Sequence, residues 1–125
     1  MKRPEYSNNR DLSYSEWHRD HLPSECYVMN LDWIEYRKNN ADYHNPKIVC
    51  LIEDKDDRAG ELQTWKRSVM IQIAKALNVS AYIVYHNACR RYDHHSLWKF
   101  KVTNLMTNET QMMDETQYRN FIEKL

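Results

Sequence analysis

The sequence predicts a mixed α/β domain, and three stretches carry that prediction. A helical pattern over residues 60–77 lies between two apolar runs, residues 47–53 and 80–86. A helix joining two buried strands is a crossover, which makes those strands parallel. A third strand-like stretch, residues 26–36, precedes them across a short polar segment and adds an antiparallel neighbour. The expected product is a central mixed sheet with helices on its faces.

The elements follow in chain order. Residues 1–12, "MKRPEYSNNRDL", are polar and read as a flexible terminus. Residues 13–21 form a short helix, with Ser13 as N-cap, Glu16 as its capping-box partner and Pro23 as the stop. Residues 26–36, "CYVMNLDWIEY", are rich in β-branched and aromatic types and read as strand, followed by a polar turn over 37–46. Residues 47–53, "KIVCLIE", form a strand buried on both faces. In the helix, Leu62, Trp65, Val69, Ile73 and Leu77 recur at three- and four-residue steps and form the core stripe. Asp56 or Asp57 caps its start and Asn78 ends it. Residues 80–86 are strand and 87–96 a loop. Residues 97–103 and 110–113 are short strands joined through "MTNET". Asp114 caps a last helix with Gln117 as partner, and Tyr118, Phe121, Ile122 and Leu125 form its apolar stripe. Residues 13–125 are expected to be one domain.

Charge and composition exclude some functions. Eighteen basic residues balance eighteen acidic ones, so there is no global footprint for nucleic acid, and any such contact needs a local basic patch. A single glycine excludes a glycine-rich phosphate loop. Three cysteines, Cys26, Cys50 and Cys89, are odd in number and spread out, which argues against a disulfide framework and for a reducing compartment. With no long apolar run and no leader-like stretch, a cytoplasmic protein without a membrane partner is expected. His18, His21 and Cys26, or Cys89, His94 and His95, lack the paired short spacings of a structural zinc site.

The chemistry-bearing stretch is "IVCLIEDK", residues 48–55. Glu-x-Lys alone occurs near chance frequency in a chain this rich in Glu and Lys. Its place is more telling. Residues i and i+2 of a strand share a face, so Glu53 and Lys55 project together from the C-terminal end of an apolar strand, where α/β sheets usually bind ligands. Asp32 lies in the antiparallel neighbour and is within reach of Glu53. Two carboxylates plus the backbone carbonyl of Asp54 are hard oxygen ligands that suit Mg²⁺, with Mn²⁺ as an alternative. A metal there polarises a phosphoryl oxygen, and Lys55 orients the attacking water or stabilises phosphate charge. Lys66, Arg90 and Arg91 are candidates to meet phosphates. The bland readings stand beside these: Glu53 and Lys55 as a solvated strand end, Asp54, Asp56 and Asp57 as a turn, Glu16 as a capping residue only, and the Trp residues as core or half-core.

The order of elements, with Asp32 followed by Glu53-x-Lys55, resembles the PD-(D/E)XK nuclease superfamily, which includes restriction enzymes and Holliday-junction resolvases. The phrases "DWIEYR", "VCLIEDK", "AKALNVSAYIVYH" and "WKFKV" resemble small phage and prophage-type members. The resemblance covers roughly residues 13–104, and Leu31 stands where the motif's proline would be. It implies a restriction-endonuclease-like three-layer α/β/α fold and metal-dependent hydrolysis of DNA, with RNA an alternative substrate. Asp32, Glu53 and Lys55 would be catalytic. Asp32, Glu53 and the Asp54 carbonyl would be metal ligands, with Glu16 as an added acid on the first helix. It also implies a homodimer and, for a phage-encoded protein, the cytoplasm of the host. The alternative function is a non-catalytic binding module on the same fold, an accessory or inhibitor protein acting through nucleic acid or a host protein.

Overall fold

The structure, a computed structural model, describes residues 13–39, 42–87 and 99–125. The chain divides into two compact units, Met1–Asn30 and Leu31–Leu125. The first unit contains helix α1, Ser13–His21, which buries none of its side chains. Its aromatic residues stack on one another, Trp17 on Tyr14 and His21 on Trp17. His21 Nδ1 lies 2.9 Å from the Trp17 carbonyl oxygen one turn back.

The second unit is a five-stranded mixed sheet with two helices. Its elements are β1 (Trp33–Asn39), β2 (Asp42–Asp56), α2 (Thr64–Leu77), β3 (Ser80–His86), β4 (Lys99–Asn104), β5 (Thr110–Asp114) and α3 (Glu115–Glu123). The strands lie in sequence order across the sheet. Only β2 and β3 are parallel, and α2 is the crossover between them; the other neighbours are antiparallel. The α/β class and the mixed sheet expected from the sequence are therefore present.

Alternation along the strands divides the core into two faces. On one, Cys50, Ile52, Tyr82, Val84, Phe100, Val102 and Met113 pack under Tyr118, Phe121, Ile122 and Leu125 from α3 and the C-terminus. Phe100 and Tyr118 stack with ring centroids 4.1 Å apart, and Tyr82 meets Phe121 edge-on at 5.1 Å. On the other face, buried Leu51, Ala81 and Ile83 lie towards α2, whose own buried residues are Met70 and Ala74.

Several boundaries differ from the sequence expectation. Strand begins at Trp33, not at residue 26, because the β1 ladder with β2 runs only from Trp33↔Ile52 to Asn39↔Asp42. High β-propensity over 26–32 makes no strand without a partner for its backbone groups. The same ladder extends strand through most of the polar segment expected as a turn, since backbone pairing is indifferent to side-chain polarity in an edge hairpin. Helix α2 starts at Thr64, and its N-cap, Gln63, makes no side-chain cap. Asp56 is not that cap; it holds Arg58 in the preceding loop through the backbone N–H and the guanidinium. The α2 core stripe is also rotated: Trp65 and Leu77 are exposed, and Met70 and Ala74 face the sheet. Trp17 and Trp33 are exposed as well. Trp98 and the expected flexible terminus at residues 1–12 lie outside the described residues.

The stops and the last cap are those the sequence predicts. Asn78 ends α2 in the left-handed region at φ 57°, ψ 46°, and Asp114 and Gln117 form a complete capping box on α3. The β4–β5 turn uses Asn108 at φ 67°. Asparagine tolerates this backbone because its short side chain hydrogen-bonds locally, which matters in a chain with one glycine. Among the described residues no helix is long and apolar enough to cross a membrane.

Candidate functional site

The candidate site lies on the α2 face of the sheet, at the C-terminal end of β2. Trp33 pairs with Ile52 in the antiparallel β1–β2 ladder, which sets Asp32 across from Glu53. Asp32 Oδ2 accepts the backbone N–H of Asp54 at 3.2 Å, fixing the carboxylate against the neighbouring strand. Glu53 is 4% exposed. Its Oε1 accepts a hydrogen bond from Lys66 Nζ at 2.5 Å, while Oε2 is buried with no hydrogen-bond partner.

The electrostatics follow from this packing. Burial pushes the Glu53 carboxyl above its ordinary range; the Lys66 hydrogen bond and charge oppose the rise, and Asp32 adds to it through its negative charge and a side-chain hydrogen bond. A buried carboxylate next to a second one needs a cation, and Lys66 supplies it. Lys66 reaches Glu53 because Lys66, Met70 and Ala74 are four residues apart on the sheet-facing side of α2.

Lys55 follows two residues after Glu53 on the same face of β2, paired in the ladder with Tyr85. It is half-buried, and among the described residues no ion pair includes it. Asp54 points to the opposite face. There it accepts a 2.7 Å hydrogen bond from Trp33 Nε1, and its Oδ2 lies 2.8 Å from His86 Nε2. Burial works to raise the Asp54 carboxyl, but the His86 and Trp33 hydrogen bonds outweigh it and hold the group below its ordinary value. Trp33, Ile52, Asp54, Val84, His86, Phe100 and Tyr118 border a shallow depression on this α3 side.

The structure thus brings Asp32, Glu53 and Lys55 to one end of one sheet face, and Asp54 meets Asp32 both through its backbone N–H and at its carboxyl. Lys66 is held in the ion pair and is not a free surface cation. Glu16 lies in the first turn of α1, within the N-terminal unit. Arg90 and Arg91 lie outside the described residues, as do Cys89, His94 and His95.

Sequence reasoning missed two roles. A lysine one turn before Met70 on a buried helix face was the signal for Lys66, since an unpaired lysine is rarely placed there. The signal for His86 is that parallel neighbours end at the same edge: Asp56 pairs with His86 as Asp54 pairs with Val84.

A hard cation fits the donor set. Asp32 and Glu53 offer carboxylate oxygens, one of them buried and unpartnered, and Asp54 offers its carbonyl. Among the described residues no group of three or more His, Cys, Asp or Glu is arranged to hold a metal. An ion here would rest on two carboxylates and complete its shell with water, the usual habit of Mg²⁺. No protein-family model, curated protein or solved structure matches the chain.

Proposed function

We propose that the protein hydrolyses phosphodiester bonds in DNA with a divalent metal, as a small PD-(D/E)XK-type nuclease on a restriction-endonuclease-like fold. One observation carries the reading: a buried glutamate, Glu53, turns an unpartnered oxygen into the end of a parallel strand beside a second carboxylate, Asp32. The hairpin, the α2 crossover and the parallel β3 are compatible with that fold.

Each residue has a definite task. Asp32 and Glu53 hold Mg²⁺ or Mn²⁺, with the Asp54 carbonyl as a third ligand. When bound, the metal supplies positive charge to the phosphate and lowers the pKa of a water. Lys55, on the same face, orients that water and stabilises charge on a phosphate oxygen. The hydrogen bond from the Asp54 N–H to Asp32 holds the first carboxylate in register with the second. A homodimer, with two sites for two strands, a cytoplasmic setting and a phage or mobile-element origin belong to the same proposal.

The zero net charge favours a second reading, a non-catalytic binding module of the same fold, because a lone nuclease domain usually needs a basic face for affinity. One experiment separates the two. The protein is incubated with supercoiled, linear and branched DNA, and with RNA, in Mg²⁺ or Mn²⁺. Metal-dependent cleavage is expected, with Asp32→Ala and Lys55→Ala each lowering the rate by about a hundredfold or more. Cleavage that survives both substitutions unchanged removes the catalytic assignment. Binding without cleavage on every substrate supports the module.

A further inference from the structure

Lys66 lies where it is hardest to explain from the helix alone. It sits in the first turn of α2, at the positive end of the helix dipole, where a cation is disfavoured. That turn contains no acidic residue. What holds the ammonium is Glu53: Nζ is 2.5 Å from Oε1, and the two side chains are 20% and 6% exposed. We propose that Lys66 is the resident counter-ion of the Asp32–Glu53 pair and competes with a divalent cation for Glu53. This rests on the metal reading of the site.

Three features support the exchange. Glu53 is half-satisfied: one oxygen is on Lys66, and the other is buried with no donor to accept from, while the carboxyl also faces that of Asp32. An arrangement of this kind in a native core calls for an explanation, and a role for Oε2 as a cation ligand supplies one. Second, two cations on one carboxylate repel each other, so ligation at Oε2 weakens the hold of Lys66 on Oε1. Third, Lys66 can leave: it is partly exposed at the start of α2, and a long lysine stem can carry its charge to water while its methylenes stay packed. The lysine thus keeps two adjacent carboxylates tolerable in the metal-free fold, at the expense of metal affinity. By linkage, whatever Lys66 contributes to Glu53 is subtracted from the metal's binding.

The test has two readouts besides cleavage. Mn²⁺ binding is measured by magnetic resonance of the free ion, for the full chain and for Lys66→Met. Removal of the competitor is expected to tighten Mn²⁺ by about tenfold or more, while Lys66→Arg stays near the parent. In the unaltered protein, amine acetylation at each lysine is followed by mass spectrometry. Lys66 is expected to be protected without metal and to become reactive as Mn²⁺ saturates. Equal affinity in Lys66→Met, or protection of Lys66 unchanged at saturating Mn²⁺, overturns the competition while leaving the metal site standing. If Mn²⁺ binds to none of the proteins, the metal site falls and the competition with it. The acetylation pattern decides the matter even if Lys66→Met does not fold.

Discussion

Glu53 and Asp54 are adjacent in the chain and point to opposite faces of the sheet, with opposite electrostatic consequences. Glu53 turns towards α2 into near-complete burial, and its carboxyl is pushed up. Asp54 turns towards α3, takes hydrogen bonds from Trp33 and His86, and its carboxyl is held down despite burial. A one-residue step along the strand therefore separates a carboxylate suited to meet a cation from one committed to holding the strand end.

For Glu53 the consequence is a coupled pair. Glu53→Gln leaves the Lys66 ammonium without its counter-charge, and a cost of about 1–3 kcal/mol is expected, moderated because Lys66 can reach water. In a Lys66→Met background the same substitution should cost much less, since no cation is then stranded. Urea unfolding of the four proteins measures this coupling. Additive effects would show that the 2.5 Å contact contributes nothing to the folded state.

For Asp54 the side chain is structural. Asp54→Asn retains shape and loses the charge-assisted bonds, with an expected cost near 1 kcal/mol, kept small by partial exposure. The sign with pH follows from the lowered carboxyl. Its stabilising effect is present above the ordinary aspartate range and is lost as pH falls through the folded-state value. The stability gap between the parent and Asp54→Asn should therefore close on acidification below about pH 4. A gap that stays constant in denaturant titrations down to pH 3 would falsify that role.

Much of the fold was legible because its signals are local. The apolar runs at 47–53 and 80–86, the αL stop at Asn78 and the Asp114–Gln117 box each depend on a few neighbouring residues. The shared face of Glu53 and Lys55 was legible for the same reason, from alternation along β2, whereas Asp32, expected within the neighbouring strand, lies one residue before β1 begins at Trp33. What was not legible depends on tertiary contact. The 26–32 stretch has strand composition but no ladder, and helix α2 has two overlapping apolar stripes, between which periodicity alone does not choose. The sheet selects Met70 and Ala74 over Trp65 and Leu77. Met70→Ala is accordingly expected to cost about 2–5 kcal/mol, and Trp65→Ala, on an exposed ring, less than about 1 kcal/mol. Thermal unfolding of the two variants checks the assignment, and the reverse ranking would restore the stripe read from spacing.

The α3 face carries the last prediction. Tyr118 stacks on Phe100, and burial, followed by the charges of Glu35, Cys50 and Asp54, pushes its phenol from an ordinary 10.0 up to about 12. The folded value lies above the unfolded one, so the unfolded chain releases this proton first as pH rises. Stability is unaffected below about pH 10 and falls between about pH 10 and pH 12, by roughly 2–3 kcal/mol for two units of difference. Tyr118→Phe has no such proton. The buried Cys50 thiol, also raised to about 12, is present in both proteins, so the difference between them isolates the phenol together with its coupling to Cys50. Unfolding free energies measured from pH 9 to pH 12 should therefore show Tyr118→Phe gaining on the parent across that window. Parallel curves would mean that the phenol ionises as readily in the folded chain as in water, and that the Phe100–Tyr118 stack does not shield it.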